Sequence, residues 1–199
     1  YFGHVYARAP WHYPLVMTAI TTPPLVLVLA VAGLAGRGRP EGEPAGDWSE
    51  SLVGLRRAAL ALMAWAVLMH ILPGSLPGSP KYNGVRLFLP VFPPLMVLAA
   101  AGFGWLARAA VRPLASSLEE ERPRVMVLMV LALLPMLAAT AWTHPYGLSY
   151  YNALIGGTRG AVERGMEATY WGETYVAALP WLNQHAPQGA KVWINVPGF

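Results

Sequence analysis

Four long apolar runs dominate the chain, and each is close to the length of a membrane-crossing helix. They cover residues 14–35, 52–72, 86–107 and 125–142. About 20 apolar residues are enough for an α-helix to cross a bilayer. One run alone would equally fit a buried core helix, but four runs edged by Arg, Pro or Trp favour membrane spans. The sequence therefore predicts an all-α, polytopic transmembrane helical bundle over residues 1–143.

The charge content supports this prediction. Only 12% of the residues are charged, against roughly 25% in ordinary soluble domains. A net charge of +4 and a pI near 9.6 would be compatible with nucleic-acid binding, but the arginines are divided among the loops that flank the apolar runs. That division is typical of membrane topology, and we expect no nucleic-acid partner. Cysteine is absent, which excludes disulfides and thiolate metal ligands within the chain.

Two proline clusters interrupt the apolar runs. Residues 21–24 read Thr-Thr-Pro-Pro inside the first run, and Pro90, Pro93 and Pro94 lie early in the third. Proline lacks the backbone donor that a helix needs and clashes with the preceding turn. We therefore expect each of these two spans to be kinked near its outer end.

The arginines predict the orientation of the spans. The loop over 36–51 and the first turns of the second run carry four arginines, and the loop over 108–124 carries four more. The positive-inside rule places both regions in the cytosol. The N-terminal stretch, the turn over 73–85 and everything after residue 143 then face the outside of a cytoplasmic (inner) membrane.

The residues after the fourth run have a different character. An amphipathic helix is predicted over 173–185, where apolar residues recur every third position, and the alternation over 191–196 predicts a strand. Residues 144–199 are therefore predicted to begin an extracytoplasmic α/β domain. The chain starts without Met and stops inside the predicted strand, so we expect it to be a segment of a longer protein.

Cationic and aromatic residues collect on the predicted outer side. His12 precedes the first run, Lys81, Tyr82 and Arg86 introduce the third, and Glu173 follows the fourth. A lipid phosphate needs cations and donors at headgroup depth, and a sugar needs aromatic faces and hydrogen-bonding side chains. These five residues are the candidates for binding a lipid phosphate or a sugar. The alternative is an aromatic interfacial belt with snorkelling cations.

Motifs of other chemistries are missing from the sequence. It contains no G-x-S-x-G nucleophile motif, no phosphate-binding P-loop and no H-E-x-x-H zinc motif. His4, His12 and His144 lack the spacing of a metal-ligand set. We therefore assign no metal ligand and expect no cofactor, although a divalent metal is compatible with the chemistry described below.

Several short motifs follow one another in an order that resembles a family of membrane enzymes. They are Pro-Trp-His-Tyr-Pro at 10–14, Tyr-Asn-Gly-Val-Arg-Leu-Phe-Leu-Pro at 82–90, His-Pro-Tyr at 144–146, Leu-Ser-Tyr-Tyr-Asn at 148–152 and Tyr-Trp-Gly-Glu at 170–173. Together they resemble the late transmembrane part of bacterial membrane glycosyltransferases of the GT-C fold, and the segment after it. The family is glycosyltransferase family 39, which includes protein O-mannosyltransferases and aminoarabinose transferases.

The resemblance implies an integral membrane glycosyltransferase. Such an enzyme moves a sugar from a polyprenyl-phosphate donor to a lipid, glycan or protein acceptor at the outer face of the cytoplasmic membrane. Enzymes of this family use an acidic residue in their first outward loop as the catalytic base. No residue of this chain matches that acid, so no catalytic residue is carried over, and we expect this segment alone to be inactive.

A non-enzymatic multi-pass transporter or lipid-handling subunit is the alternative function. Transporters usually place polar or charged groups at mid-membrane, where they bind substrate or ions. The four apolar runs have no acid or base at mid-depth. This absence favours the transferase.

Overall fold

The computed structural model describes residues 1–6, 8–36, 47–81, 84–169 and 175–193, and over these ranges the chain is helical, with no β-strand. The α-helices are α1 (Tyr13–Thr21), α2 (Pro24–Ala35), α3 (Asp47–Ser75), α4 (Phe92–Val111), α5 (Leu118–Thr143), α6 (Gly157–Glu163) and α7 (Tyr175–His185). Short 3-10 helices cover Arg86–Val91, Arg112–Leu114, Gly147–Ser149 and Ala153–Ile155.

Three of the four apolar runs form helices that are long enough to cross a membrane. Within the described residues, Leu52–Ser75, Arg86–Leu114 and Leu118–Thr143 are long and apolar enough to cross a membrane. The predictions of membrane-length helices in the second, third and fourth runs are confirmed. The third begins as a 3-10 helix and continues as α4, whose prolines occupy its first positions, where a missing backbone donor costs nothing.

The first run is broken rather than kinked. Its two helices, α1 and α2, meet at an angle of 111°. At 1.5 Å per residue they are about 13 and 18 Å long, so each alone is shorter than the hydrocarbon core of roughly 30 Å. This differs from the single kinked span expected over 14–35, and a fourth span exists only if the bent pair counts as one.

Consecutive prolines explain the break. A residue that precedes proline is pushed out of the α region, and in Thr-Thr-Pro-Pro this applies to both Thr22 and Pro23. Both are extended, with ψ of 135° and 131° respectively. Two extended residues in succession change the chain direction far more than one missing hydrogen bond would.

The polar segments between the spans are more helical than the sequence suggested. Asp47–Ser51 already belongs to α3, and the segment predicted as a loop over 108–124 is mostly helical. Ser117 caps α5 by accepting a hydrogen bond from the Glu120 backbone N–H at 3.4 Å, while the Glu120 carboxylate accepts from the Ser116 N–H at 3.0 Å. This Ser-x-x-Glu pattern is a helix start signal that the apolar runs alone did not indicate.

The described part of the C-terminal segment lacks the predicted strand. The amphipathic helix is present as α7, but residues 191–193 have no regular secondary structure. Residues 194–196, the rest of the predicted strand, lie outside the described residues.

The tightest helix contact joins α2 to α4 through glycines. A Cβ atom on Gly33 would overlap the carbonyl oxygen of Leu98, and one on Gly102 would overlap that of Leu29 and lie 2.6 Å from the Gly33 nitrogen. Small residues let two helix backbones approach closely, which is how spans commonly associate in lipid. This contact therefore fixes the position of α2 after the break.

The apolar faces of α3 and α5 are largely uncovered. Over the described residues, the most apolar window of each helix contains no buried residue, whereas a third of the window in α4 is buried. Helix surfaces of this kind suit contact with lipid or with further spans.

We predict that Gly102→Ala destabilises the protein by about 1–3 kcal/mol, because the added methyl forces α2 and α4 apart. Gly54→Ala is the matched control. Gly54 also lies inside a helix, but nothing would come within 4 Å of its Cβ, so helix propensity should leave its stability unchanged or raised by up to about 1 kcal/mol. Unfolding temperatures in detergent measure both, and equal shifts would contradict the close contact.

Candidate functional site

One end of the bundle gathers the three segments that the sequence placed on the outer side. Its core, named here the aromatic cluster, consists of buried residues Tyr13, Met17, Ile20, Phe88, Tyr151, Ile155, Ala161 and Met166, with Tyr1 and Phe2 packed against them. The N-terminal stretch, the entry to α4 and the segment after α5 all contribute to it. The end of α3 joins them, because a Cβ on Gly74 would contact Pro14 and Phe88.

Aromatic rings give the cluster its shape. The Tyr1 ring lies 5.0 Å from the ring of Tyr13 and 5.9 Å from that of His12. Tyr13 in turn meets Phe88 edge-on, with ring centroids 6.3 Å apart. Tilted and edge-on pairs are the favoured arrangements of aromatic rings. His12 thus lies at the border of the cluster, partly exposed.

Asn152 connects the C-terminal segment to the break after α1. Its side-chain Nδ2 donates to the carbonyls of Ala19 at 2.7 Å and Thr22 at 2.6 Å, and its backbone N–H donates to that of Ile20 at 2.8 Å. The side-chain Oδ1 accepts from the Leu154 N–H at 2.9 Å. Asn152 is only 1% exposed, so one buried amide satisfies carbonyls that the interrupted helix leaves open.

The threonine hydroxyls at the end of α1 bond to carbonyls of the preceding turn. The Thr21 hydroxyl donates to the Met17 carbonyl at 2.7 Å, and the Thr22 hydroxyl donates to that of Thr18 at 2.5 Å. Unsatisfied polar groups are costly at membrane depth. The hydroxyls of these two threonines are therefore satisfied within α1, while Asn152 supplies donors to the carbonyls at the break.

Backbone contacts join residues 165–166 to the N-terminal stretch. The Gly3 N–H donates to the Gly165 carbonyl at 3.0 Å, and the Phe2 N–H donates to the Met166 sulfur at 3.4 Å. Within the C-terminal segment itself, the Tyr151 hydroxyl donates to the Glu167 carbonyl at 2.9 Å. The part of the C-terminal segment nearest α5 therefore packs on the membrane region. Glu163 pairs with Arg159 at 2.9 Å on the exposed surface.

The structure places three of the five candidate residues at this end. His12 borders the aromatic cluster. Arg86 is the exposed first residue of the 3-10 helix that carries Phe88. Lys81 donates from Nζ to the Leu76 carbonyl at 2.9 Å, next to the end of α3, so part of its hydrogen-bonding capacity serves that terminus. Tyr82 and Glu173 lie outside the described residues.

Two tyrosine phenols at this end are partly shielded from water. Burial raises the pKa of Tyr1 to about 12, and the neighbouring Tyr6 adds to the rise. Burial also raises the pKa of Tyr150. Both phenols therefore remain protonated donors at neutral pH. Among the described residues, four hydroxyls are buried without a hydrogen-bond partner: those of Tyr1, Thr18, Ser149 and Thr169.

Sequence reasoning identified the charged candidates but missed Asn152. The residue types of the charged candidates indicated a possible anion site, but no local pattern singled out Asn152, whose partners lie about 130 positions earlier. Its place in the Leu-Ser-Tyr-Tyr-Asn motif was the available signal. Within the described residues, no three His, Asp or Glu side chains lie close enough together to hold a metal ion.

Comparisons with protein-family models, with curated protein sequences and with solved structures found no match to this chain. The geometry and chemistry of the chain itself therefore carry the functional argument.

We predict that Asn152→Ala destabilises the protein by about 2–4 kcal/mol, because it leaves the Ala19 and Thr22 carbonyls without their donor in a buried place. Asn152→Asp should cost at least as much, since a carboxylate would oppose the same carbonyl oxygens. The control is Asn183→Ala, on the exposed surface of α7. Protease resistance and unfolding temperature in detergent measure the difference, and an unaltered Asn152→Ala protein would contradict the bridging role.

Proposed function

We propose that the chain is part of an integral membrane glycosyltransferase that uses a polyprenyl-phosphate sugar donor at the outer face of the cytoplasmic membrane. The observation that carries the proposal is the convergence of three motif-bearing segments, around residues 10–14, 84–90 and 146–152. They are far apart in the sequence and meet at one end of the bundle. These are the segments whose sequences resemble the GT-C glycosyltransferases.

The chemistry of this end suits such a donor. Aromatic rings and neutral phenols at the aromatic cluster match the faces and hydroxyls of a sugar. Arg86, at the start of the third span, has the planar fork that fits phosphate oxygens. We assign Arg86 to the donor phosphate, assisted by Lys81 and Tyr82, with His12 and Glu173 as further binding residues for the lipid phosphate or sugar.

A transporter would be favoured if the broken helix offered its open carbonyls to an ion, as discontinuous helices do in many transporters. The carbonyls of Ala19, Ile20 and Thr22 instead accept hydrogen bonds from Asn152. These carbonyls are thus already hydrogen-bonded within the protein. This supports a structural role for the break and favours the transferase over the transporter.

The proposed orientation places the aromatic cluster outside and the arginine-rich end in the cytosol. It rests on the arginine distribution, which the positive-inside rule converts into a topology. Residues 144–199 are then extracytoplasmic.

Cysteine labelling tests the orientation, and the absence of native cysteine from this chain simplifies the measurement. We predict that Gly147→Cys reacts with a membrane-impermeant maleimide in intact cells. Ser116→Cys should react only after permeabilisation. Both positions are exposed, and a Cβ at Gly147 meets nothing within 4 Å. Reaction of Ser116→Cys alone in intact cells would reverse the proposed topology.

Substitution of Arg86 in the full-length protein tests the donor site. A charge-assisted hydrogen bond contributes roughly 1.5–3 kcal/mol, so we expect Arg86→Ala to weaken donor binding about tenfold or more. Arg86→Lys keeps a cation for membrane anchoring but loses the fork, and we expect weaker donor binding with normal membrane insertion. Binding of a labelled polyprenyl phosphate and sugar transfer are the measurements.

Arg159→Ala is the matched control, because it removes an exposed arginine from the same end and should leave donor binding unchanged. If both Arg86 variants insert normally and bind the donor as the wild type does, Arg86 is a membrane anchor and the proposed phosphate site is wrong. If the full-length protein neither binds nor uses polyprenyl-phosphate sugars, the proposed function itself fails.

A further inference from the structure

An arginine-lined groove lies at the opposite end of the bundle from the aromatic cluster. It is a cavity of about 1050 Å³ between α3, α4 and α5. Its charged lining consists of Arg56, Arg108, Arg112, Arg122 and a single carboxylate, Glu121. Four arginines against one glutamate leave an excess of three positive charges around one open space.

The rest of the lining is apolar and runs along the helices. Trp105 and Met126 form part of it, and along α5 the lining extends from Leu118 to Met129. At 1.5 Å per residue this stretch is roughly 16 Å long, about half the thickness of a bilayer's hydrocarbon core. The groove is therefore charged near the helix ends and apolar towards the middle of the spans.

Local hydrogen bonds hold the charged end in position. Arg108 donates from Nε to the Gly104 carbonyl at 2.8 Å, and Gly104 also lines the groove, so this guanidinium is tied to the groove wall. Glu120, one of the other acids in the first turn of α5, is turned to partners outside the lining. It accepts from the Ser116 N–H and lies 3.6 Å from Arg124, neither of which lines the groove.

We propose that this groove binds an anionic phospholipid of the adjacent leaflet, with its phosphodiester headgroup among the arginines and an acyl chain along the apolar wall. Charge complementarity selects the anion, since guanidinium groups pair with phosphate oxygens. The apolar wall selects a lipid over a soluble anion, because a free phosphate would gain nothing from roughly 16 Å of hydrocarbon surface. Basic pockets between spans are recognised sites for anionic headgroups.

This site is separate from the proposed donor site. It lies at the arginine-rich end, which the proposed topology places in the cytosol, whereas the aromatic cluster and Arg86 lie at the other end. Its occupancy does not depend on whether the protein transfers a sugar.

The test compares two pairs of substitutions in the full-length protein. Arg56→Gln with Arg122→Gln removes two groove arginines. The control pair, Arg57→Gln with Arg124→Gln, removes neighbouring arginines on the same two helices that do not line the groove. Both pairs lower the net charge equally. A difference in lipid affinity between them is therefore due to the groove and not to the overall charge of the protein.

Native mass spectrometry in detergent measures binding of phosphatidylglycerol, with phosphatidylcholine as the neutral comparison. We expect the wild type to prefer phosphatidylglycerol and the groove pair to lose at least tenfold in affinity for it, since two of the four guanidinium groups that face the headgroup are removed. The control pair should stay within about twofold of the wild type. Arg56→Lys with Arg122→Lys keeps the charge and should retain most of the binding, which separates loss of the site from loss of the fold.

Three results would overturn the proposal. The first is equal loss in the groove and control pairs, which would indicate non-specific surface charge. The second is equal binding of phosphatidylglycerol and phosphatidylcholine by the wild type. The third is displacement of phosphatidylglycerol by an equal concentration of inorganic phosphate, which would make this a site for the soluble anion.

Discussion

The hydrogen bonds from Asn152 to the end of α1 are the interaction on which the end of the bundle with the aromatic cluster depends. Two consecutive prolines force the backbone out of helical conformation and leave carbonyls open at Ala19, Ile20 and Thr22. In a bilayer such groups need a partner from the protein. Asn152 supplies it with one side chain and one backbone N–H, and in doing so it holds the segment after the last span against the first helix.

The aromatic cluster follows from that connection. Once residues 150–167 lie against α1, Tyr151 and Met166 complete a core that also includes Tyr13 and Phe88. The cluster brings together segments that resemble glycosyltransferase motifs, and it places Arg86 two residues from one of its central rings. The donor site that we propose at this end would combine aromatic faces with a cation at its edge, which suits a lipid-linked sugar.

The two ends of the bundle differ in the way they would hold a ligand. At the end with the aromatic cluster, buried aromatic and aliphatic side chains form a core, whereas at the other end four arginines line one groove. The glycine contact between α2 and α4 lies between these ends and needs no polar group, because the backbones themselves approach closely at Gly33 and Gly102. The uncovered faces of α3 and α5 leave room for lipid or for further spans beside this pair.

The sequence alone determined where membrane-length helices form, because an uninterrupted apolar run satisfies its backbone within the helix and its side chains in lipid. Local rules also account for details that the apolar runs alone did not predict. The Ser117–Glu120 cap explains why α5 begins before the apolar run. The extended conformations of Thr22 and Pro23, each of which precedes a proline, explain why the first run is broken and not merely kinked. The sequence pattern placed His12, Lys81 and Arg86 beside the spans, where the structure has them.

Only the tertiary structure decided the direction of α2 after the break, since extended residues permit many directions and the contact of Gly33 with α4 selects one. It also decided the role of Asn152, whose partners lie about 130 positions away in the sequence. The arginine groove also depends on the tertiary structure. The sequence shows that its arginines lie near helix ends, but only the packing of α3, α4 and α5 brings them around one cavity. In each case the deciding contact joins residues that no local pattern relates, because the chain brings them together only by packing.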